Sequence, residues 1–340
     1  MNQDDASARR ARLLERQSRL SGQVREQLEQ RLKGRAETAE PLVRAGRCLV
    51  EIVPPAPGTE RRPFFCIHPA GGDVLCFFPL ARHIGSDQPF YGLQARGLED
   101  EGEPFATIEE MAAHYAGEIR GVQPSGPYRI GGWSFGGLAA FELACQLRAA
   151  GEEVELLAIL DTAPGVADDG PPEPGLEAAE EGEAVEEGNE GGNNTSWLLT
   201  IAEYIKGLRG KDLAVTAADF APLDPEAQLH FFVERLQGAG IVHGRDSLEQ
   251  LRRLLRVYKT NVRAYRRYVP RPYDGPITLV RAEGAHFAPA LGPDLGWEKL
   301  SPHPIAHQQV PGDHITLLAE PHVRTLADRL RTRLGRTESP

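Results

Sequence analysis

The heptapeptide Gly131–Gly137, Gly-Gly-Trp-Ser-Phe-Gly-Gly, constrains the fold of this chain more than any other stretch. A short apolar run, Tyr128–Ile130, precedes it, and apolar positions after it, in Leu138–Ala144, repeat with helical period. This order predicts a strand, a tight turn and a helix with Ser134 at the apex, the Gly-x-Ser-x-Gly pattern of a nucleophile elbow. Glycine suits the positions two before and two after the serine because a Cβ would collide there. The alternative is a glycine-rich strand-to-helix turn without chemistry.

Short apolar runs typical of buried strands recur along the chain, and helical patterns separate most of them. Besides the elbow strand, the predicted strands are Cys48–Val53, Phe64–His68, Phe90–Leu93, Leu156–Asp161, Ile277–Arg281 and His307–Val310. A terminal helix is predicted from about Pro321 to Leu334. Strands that alternate with helices indicate an α/β fold, with a mostly parallel central sheet and helices on both faces.

The alternation stops after Asp161, and three helical patterns later follow one another without a strand between them. They cover about Trp197–Leu208, Pro225–Gln237 and Ser247–Tyr268. We interpret residues 196–272 as a helical lid, inserted after the strand that ends at Asp161. It would lie at the carboxyl edge of the sheet, where ligands bind in open α/β folds. Residues 46–165 and 273–335 then form the two parts of the core.

The acidity of the chain is local. Ten acidic side chains and no basic ones lie between Val166 and Thr195, and without them 39 acids remain against 38 Lys and Arg. We predict that this segment, 166–195, is disordered, because it is rich in Gly, Pro and Glu. Neither the segment nor the nearly neutral remainder indicates nucleic-acid binding.

Residues 1–45 form a charged arm in which apolar residues have helical spacing. The arm either docks a partner or is a solvated linker helix. No apolar run is long enough to cross a membrane, and no secretory signal is recognisable. The four cysteines lack Cys-x-x-Cys spacing, which favours reduced cysteines in a cytoplasmic protein and no metal site.

A serine nucleophile needs a base, an orienting acid and hydrogen-bond donors for the oxyanion. On a fold with this elbow the chain order is serine, acid, histidine. We predict His314 as the base because it lies in a loop between the last strand and the terminal helix. The histidines weighed against it precede the serine, lie in helical or proline-broken stretches, or open a helix: His68, His83, His114, His230, His303, His307 and His322.

Two positions compete for the acid, Asp161 after the strand that follows the elbow helix and Glu283 after the next strand. We favour Asp161, because an ordered proline-containing turn follows it, whereas Glu283 lies in a looser loop. Asp313 is adjacent to the predicted base and cannot easily fold back onto its ring. The oxyanion donors are predicted to be the backbone N–H groups of Phe135 and of Ala70, in a His-Pro-Ala-Gly-Gly turn.

Four stretches together resemble the thioesterase domains that end nonribosomal peptide synthetases and some polyketide synthases. These stretches are Phe64–Gly72, Gly131–Gly137, Leu160–Pro164 and Pro311–His314. The resemblance runs from about Leu49 to Leu334 and implies the α/β-hydrolase fold. In that family the acid follows the strand after the elbow helix, which supports Asp161.

The resemblance also implies a reaction. An acyl or peptidyl chain would pass from the phosphopantetheine arm of a carrier protein to Ser134 and leave by hydrolysis or cyclisation, with no cofactor of the enzyme's own. The alternatives are an editing thioesterase that clears mischarged carriers in trans, a free-standing ester hydrolase and a non-catalytic binding module. Because no carrier motif precedes the elbow, we expect a trans-acting protein or an excised domain. Three arginines, Arg263, Arg266 and Arg267, either contact the carrier or belong to a solvated helix end.

Overall fold

The computed structural model describes residues 48–165, 193–244, 246–284 and 292–335. The predicted arm, 1–45, and the predicted acidic segment as far as residue 192 lie outside the described residues.

Seven strands form one sheet in the order β1-β3-β2-β4-β5-β6-β7. The strands are β1 Leu49–Val53, β2 Phe64–Ile67, β3 Phe90–Leu93, β4 Tyr128–Trp133, β5 Val154–Leu160, β6 Thr278–Ala282 and β7 Ala306–Val310. Only the β1–β3 pair is antiparallel among them, and the other five pairs are parallel. The predicted mostly parallel sheet is confirmed.

The elbow strand is longer than predicted. It continues through Gly131 and Gly132 to Trp133, because these residues pair with Ala158–Leu160 of β5. Strand β4 is buried along its whole length, which explains why its sequence lacks polar–apolar alternation. Its carboxyl end therefore delivers the next residue, Ser134, directly to the edge of the sheet.

Four helices cover the two faces of the sheet: α1 Phe77–Ile84, α2 Ile108–Arg120, α3 Phe135–Ala149 and, at the end of the chain, α8 His322–Leu334. Alternate residues of β2 divide between two apolar cores. Phe65 and Ile67 pack with α2 and α3, whereas Phe64 and Cys66 pack with α1 and α8. This period of two is the signature of a strand covered on both faces.

A helical insertion, defined as residues 195–267, separates β5 from β6. It contains α4 Thr195–Arg209, α5 Ala217–Phe220, α6 Pro225–Gly238 and α7 Ser247–Arg267. The three predicted helices are present within two residues of their predicted ends, and the short α5 is an addition. The inner face of α7 joins the core above the sheet through Leu251, Leu255 and Tyr258.

Candidate active site

Ser134 occupies the turn between β4 and α3. Its backbone has φ 57° and ψ −133°, in the region of positive φ that residues other than glycine rarely adopt. The residue is buried, with 2% of its surface exposed. Because helix α3 begins at Phe135, the serine lies at a helix N-terminus, where the helix dipole favours negative charge.

The glycines on both sides of Ser134 are required by close backbone contacts. A Cβ on Gly132 would lie 1.9 Å from the carbonyl oxygen of Gly136. A Cβ on Gly136 would lie 2.3 Å from the carbonyl oxygen of Ile67 in β2. The strand and the helix therefore cross at a distance that excludes any side chain, which is the physical basis of the Gly-x-Ser-x-Gly pattern.

The predicted acid and base meet at the same edge of the sheet. Asp161 follows β5 directly, and its Oδ2 lies 2.9 Å from Nδ1 of His314, in the loop after β7. The other carboxylate oxygen, Oδ1, accepts a hydrogen bond from the Ala282 N–H at 2.9 Å. A carboxylate only accepts, so Nδ1 of His314 carries the proton and Nε2 presents its lone pair. Both side chains are buried.

The other two acidic residues weighed for this role, Glu283 and Asp313, have different surroundings. Glu283 is exposed, and its backbone N–H donates to the carbonyl of Val310. Asp313 accepts hydrogen bonds from the backbone N–H groups of Ile315 and Thr316, so its carboxylate closes the turn that carries His314. The geometry thus joins His314 to the acid that the sequence favoured.

The His-Pro-Ala-Gly-Gly turn follows β2 and lies against the elbow. The ring of His68 stacks on Phe135, with centroids 5.7 Å apart. Its Nδ1 is 2.7 Å from the Pro69 carbonyl, and its Nε2 is 2.8 Å from the Tyr115 hydroxyl. Burial lowers the pKa of His68 to about 4, so the ring is neutral and donates from Nδ1. The sequence-predicted donors, the N–H groups of Ala70 and Phe135, belong to this turn and to the first residue of α3.

Three of the other histidines weighed as bases pair with carboxylates other than Asp161. His83 contacts Glu320, His303 contacts Asp274, and His307 contacts Asp294. Within the described part of the chain, no group of three or more His, Cys, Asp or Glu side chains is arranged to hold a metal ion. Among the same residues, no helix has the length and apolar character to cross a membrane.

Two further residues support the site and were not predicted from sequence. The Trp133 indole Nε1–H donates to the His314 carbonyl at 3.0 Å, and the two rings lie 5.6 Å apart. The Thr162 hydroxyl lies 2.9 Å from the carbonyl oxygen of Ser134, which ties the elbow to the residue after Asp161. The tryptophan stands next to the serine in sequence, but its partner is 181 residues away.

A cavity of about 470 Å³ lies between the His-Pro-Ala-Gly-Gly turn after β2 and the helical insertion. Its walls are mainly apolar and aromatic, and they include Trp133, Tyr204, Leu254, Tyr258 and Leu318. Pro69 and Gly71 of the turn also line it, so the cavity reaches the segment that holds the Ala70 N–H. A cavity of this size and lining suits an apolar organic chain.

The sheet order, the elbow after β4 and the positions of Asp161 after β5 and His314 after β7 place the chain among the α/β-hydrolases. The thioesterase-domain family matches residues 62–334, and the chain belongs to that family.

Similar proteins agree with this assignment. A chondramide synthase of Chondromyces crocatus is 33% identical over 292 residues, which are 84% of this chain and 7% of the synthase. A dimodular nonribosomal peptide synthase of Bacillus subtilis (strain 168) is 47% identical over 113 residues, which are 33% of this chain and 5% of that protein. The chain therefore spans only a small part of the curated relatives that it matches.

Solved structures show the same fold. The Vlm2 thioesterase domain has a TM-score of 0.58 and 25% identity, over 84% of this chain and 96% of that one. A four-domain nonribosomal peptide synthetase bound to AMP and glycine has a TM-score of 0.70 and 26% identity, over 86% of this chain and 20% of that one. The expected family and the α/β-hydrolase fold are both confirmed.

Proposed function

We propose that this protein is a serine thioesterase that releases an acyl or peptidyl chain from a carrier-protein thioester in natural-product biosynthesis. The observation that carries the proposal is the buried hydrogen bond of 2.9 Å between Asp161 Oδ2 and His314 Nδ1, beside a strained serine elbow. In this proposal Ser134 is the nucleophile, His314 the base and Asp161 the residue that orients the imidazole.

The first half-reaction forms an ester on the enzyme. His314 Nε2 accepts the proton from Ser134 Oγ as that oxygen attacks the thioester carbonyl. The oxyanion of the tetrahedral intermediate accepts hydrogen bonds from the N–H groups of Phe135 and Ala70. The carbon–sulfur bond then breaks, and the imidazolium returns its proton to the departing phosphopantetheine thiolate. Asp161 stabilises the imidazolium throughout.

The second half-reaction transfers the chain from Ser134 to a second nucleophile. Water gives a free acid, whereas an amine or hydroxyl within the chain gives a ring, and His314 activates either one. The cavity beneath the helical insertion holds the apolar chain next to the ester and limits the entry of water, so the insertion acts as a lid. No cofactor of the enzyme takes part, because the phosphopantetheine arrives and leaves with the carrier.

The partner is an acyl or peptidyl carrier protein, as the synthetase relatives suggest. A groove of about 540 Å³ beside α7 contains Arg252, Arg256, Lys259 and Arg263, together with several glutamates. These cations could face a phosphate or an acidic carrier. We place this activity in the cytoplasm, and the four cysteines are free.

The test compares three substrates that carry the same acyl chain: a carrier-bound thioester, a free pantetheine thioester and a simple oxygen ester. Release of a full-length chain should be fastest from the carrier, and the acyl-enzyme should appear by intact-protein mass spectrometry. Ser134→Ala is the matched control and should form no adduct. Equal turnover of the simple ester would indicate a free-standing esterase, and a preference for acetyl over the full-length chain would indicate an editing enzyme.

A further inference from the structure

Asn261 lies on the inner face of α7 and is fully buried. It contacts the turn that follows β2: its Nδ2 is 2.9 Å from the carbonyl oxygen of Ala70, 191 residues away in sequence. A carbonyl oxygen only accepts hydrogen bonds, so the amide of Asn261 must present its NH₂ group to it. This bond joins the helical insertion to the segment that carries the proposed oxyanion donor.

The N–H group of Ala70 is held from the core side. It shares a peptide plane with the carbonyl of Pro69, which accepts hydrogen bonds from the Gly72 N–H at 2.9 Å and from His68 Nδ1 at 2.7 Å. Because a peptide group is rigid and planar, these two bonds to its oxygen restrain the N–H from the core side. The carbonyl of Ala70 belongs to the next peptide group along the chain. The backbone torsions of Ala70, which relate the two peptide groups, therefore depend on what holds that carbonyl.

Helix α7 is pressed closely against the same turn. A Cβ on Gly72 would lie 2.6 Å from a methyl carbon of Val257, one helical turn before Asn261. A Cβ on Gly71 would lie 3.9 Å from Leu254. The turn therefore fits between the core and the insertion, and Asn261 supplies its polar contact on the insertion side.

We infer that Asn261 is a positioning residue that holds the Ala70 N–H in the direction needed for the oxyanion. This inference rests on the proposed function, in which that N–H stabilises the tetrahedral intermediate. Removing an oxyanion donor altogether typically lowers kcat by about 100- to 1000-fold. Loss of the Asn261 bond would leave the donor present but restrained from the core side only, so the turn can tilt the N–H away from the oxyanion, and we expect kcat to fall by about 10- to 100-fold.

The test uses the full chain with Asn261→Leu, which keeps the approximate size of the side chain and removes the donor. Activity is measured as kcat/KM on the pantetheine thioester. Two inhibitors that carry the acyl chain are compared: a boronic acid, which forms a tetrahedral adduct on the serine, and a thioether, which resembles the ground state. We expect kcat/KM and boronate affinity to fall by the same factor, with thioether affinity within twofold of the wild type.

The matched control is Gln228→Leu. Gln228 is also a buried amide of the insertion, but it accepts from the Asn194 N–H at 2.8 Å and donates to the side chains of Asn193 and Thr195, where the insertion begins. Its loss perturbs the insertion without touching the turn, so kcat/KM should stay within about threefold of the wild type. If the leucine variant of Asn261 fails to fold, Asn261→Ala replaces it, because alanine removes the donor and is smaller than asparagine.

The outcomes separate this inference from the proposed function. An acyl-enzyme in Ser134→Ala would refute the function itself. If Ser134→Ala is inactive, the positioning role is refuted when the Asn261 variant keeps kcat/KM within twofold. It is also refuted when thioether and boronate affinities fall together, since that pattern indicates a damaged substrate cavity.

Discussion

Replacing Asp161 by asparagine should disable the enzyme by trapping the wrong form of His314. Each carboxylate oxygen of Asp161 accepts one hydrogen bond, from the Ala282 N–H and from His314 Nδ1. Asparagine has one acceptor oxygen and one NH₂ group, so a donor must now face a donor on one side. An unsatisfied buried N–H costs about 1–3 kcal/mol, and the Ala282 N–H cannot change its form.

The asparagine oxygen therefore stays on Ala282, and its NH₂ group faces the imidazole. His314 must then carry its proton on Nε2, where it cannot accept the proton of Ser134. For the same change in another serine triad the loss in kcat is about 10,000-fold, which corresponds to about 5 kcal/mol of transition-state stabilisation. We expect a loss of that order in Asp161→Asn, with a melting temperature close to that of the wild type.

The assay is the rate of acyl-enzyme formation from a pantetheine thioester, followed by rapid quench and mass spectrometry. Glu283→Gln is the matched control, because Glu283 is an exposed carboxylate at the same edge of the sheet. It should keep kcat/KM within twofold of the wild type. More than one tenth of wild-type activity in Asp161→Asn, or a larger loss in Glu283→Gln, would refute the reasoning.

Three further changes test the surroundings of the site. Gly136→Ala places a Cβ 2.3 Å from a backbone oxygen and should lower the free energy of unfolding, measured in urea, by about 3 kcal/mol. The control Gly117→Ala places a Cβ in open space on α2 and should not lower that free energy. Equal effects would contradict the argument that β4 and α3 cross too closely for a side chain. Folding lowers the pKa of His68 from 6.5 to about 4, so the unfolded chain binds the proton more readily than the folded one. The free energy of unfolding should therefore fall by about 3 kcal/mol as the pH drops from 6.5 to 4. His68→Asn should flatten the pH dependence measured by urea unfolding between pH 6.5 and 4, and an unchanged slope would contradict this. Trp133→Phe keeps an aromatic ring but removes the donor to His314, so kcat should fall about tenfold at constant KM; a change in KM alone would assign Trp133 to substrate binding.

The elbow and the succession of strands and helices along the chain were predictable because both depend on local patterns. Glycine at fixed positions around Ser134, buried apolar runs and intervening helical periods all express short-range constraints. The end of β4 was less predictable. Its last residues include two glycines, which are poor strand formers in isolation, and they are strand here because they pair with β5.

The choice of acid could not be settled from the residues alone. Glu283 follows β6, the direct neighbour of the strand that leads to His314, whereas Asp161 follows β5, one strand further away. Strand order alone would therefore favour Glu283, whereas the hydrogen bond to His314 Nδ1 belongs to Asp161. The backbone of Asp161 has φ 51°, and the hydrogen bond to the Ala282 N–H holds its carboxylate at the end of β6, within reach of the imidazole. Neither feature has a pattern in the sequence.

Contacts across the molecule were equally beyond local patterns. Trp133 reaches His314 and Asn261 reaches Ala70 over separations of 181 and 191 residues. A lone tryptophan or asparagine in a helix or strand has many possible partners, and only the packed fold selects one. One sequence feature does mark Asn261: it is a polar side chain on the face of α7 that is otherwise mostly apolar and buried.

Two of the four non-glycine residues with positive φ in the described part of the chain are proposed catalytic residues. Ser134 and Asp161 both have positive φ, which costs a residue with a Cβ about 1–2 kcal/mol. Each is held in place by the neighbouring strand: the Ser134 N–H donates to the Leu160 carbonyl at 3.2 Å, and the Asp161 N–H donates to the Val280 carbonyl at 2.7 Å. The sheet therefore maintains two turns that neither residue would adopt alone. Since these bonds run from β4 to β5 and from β5 to β6, loss of pairing at any of these three strand ends should relax the strain and separate the nucleophile from its base.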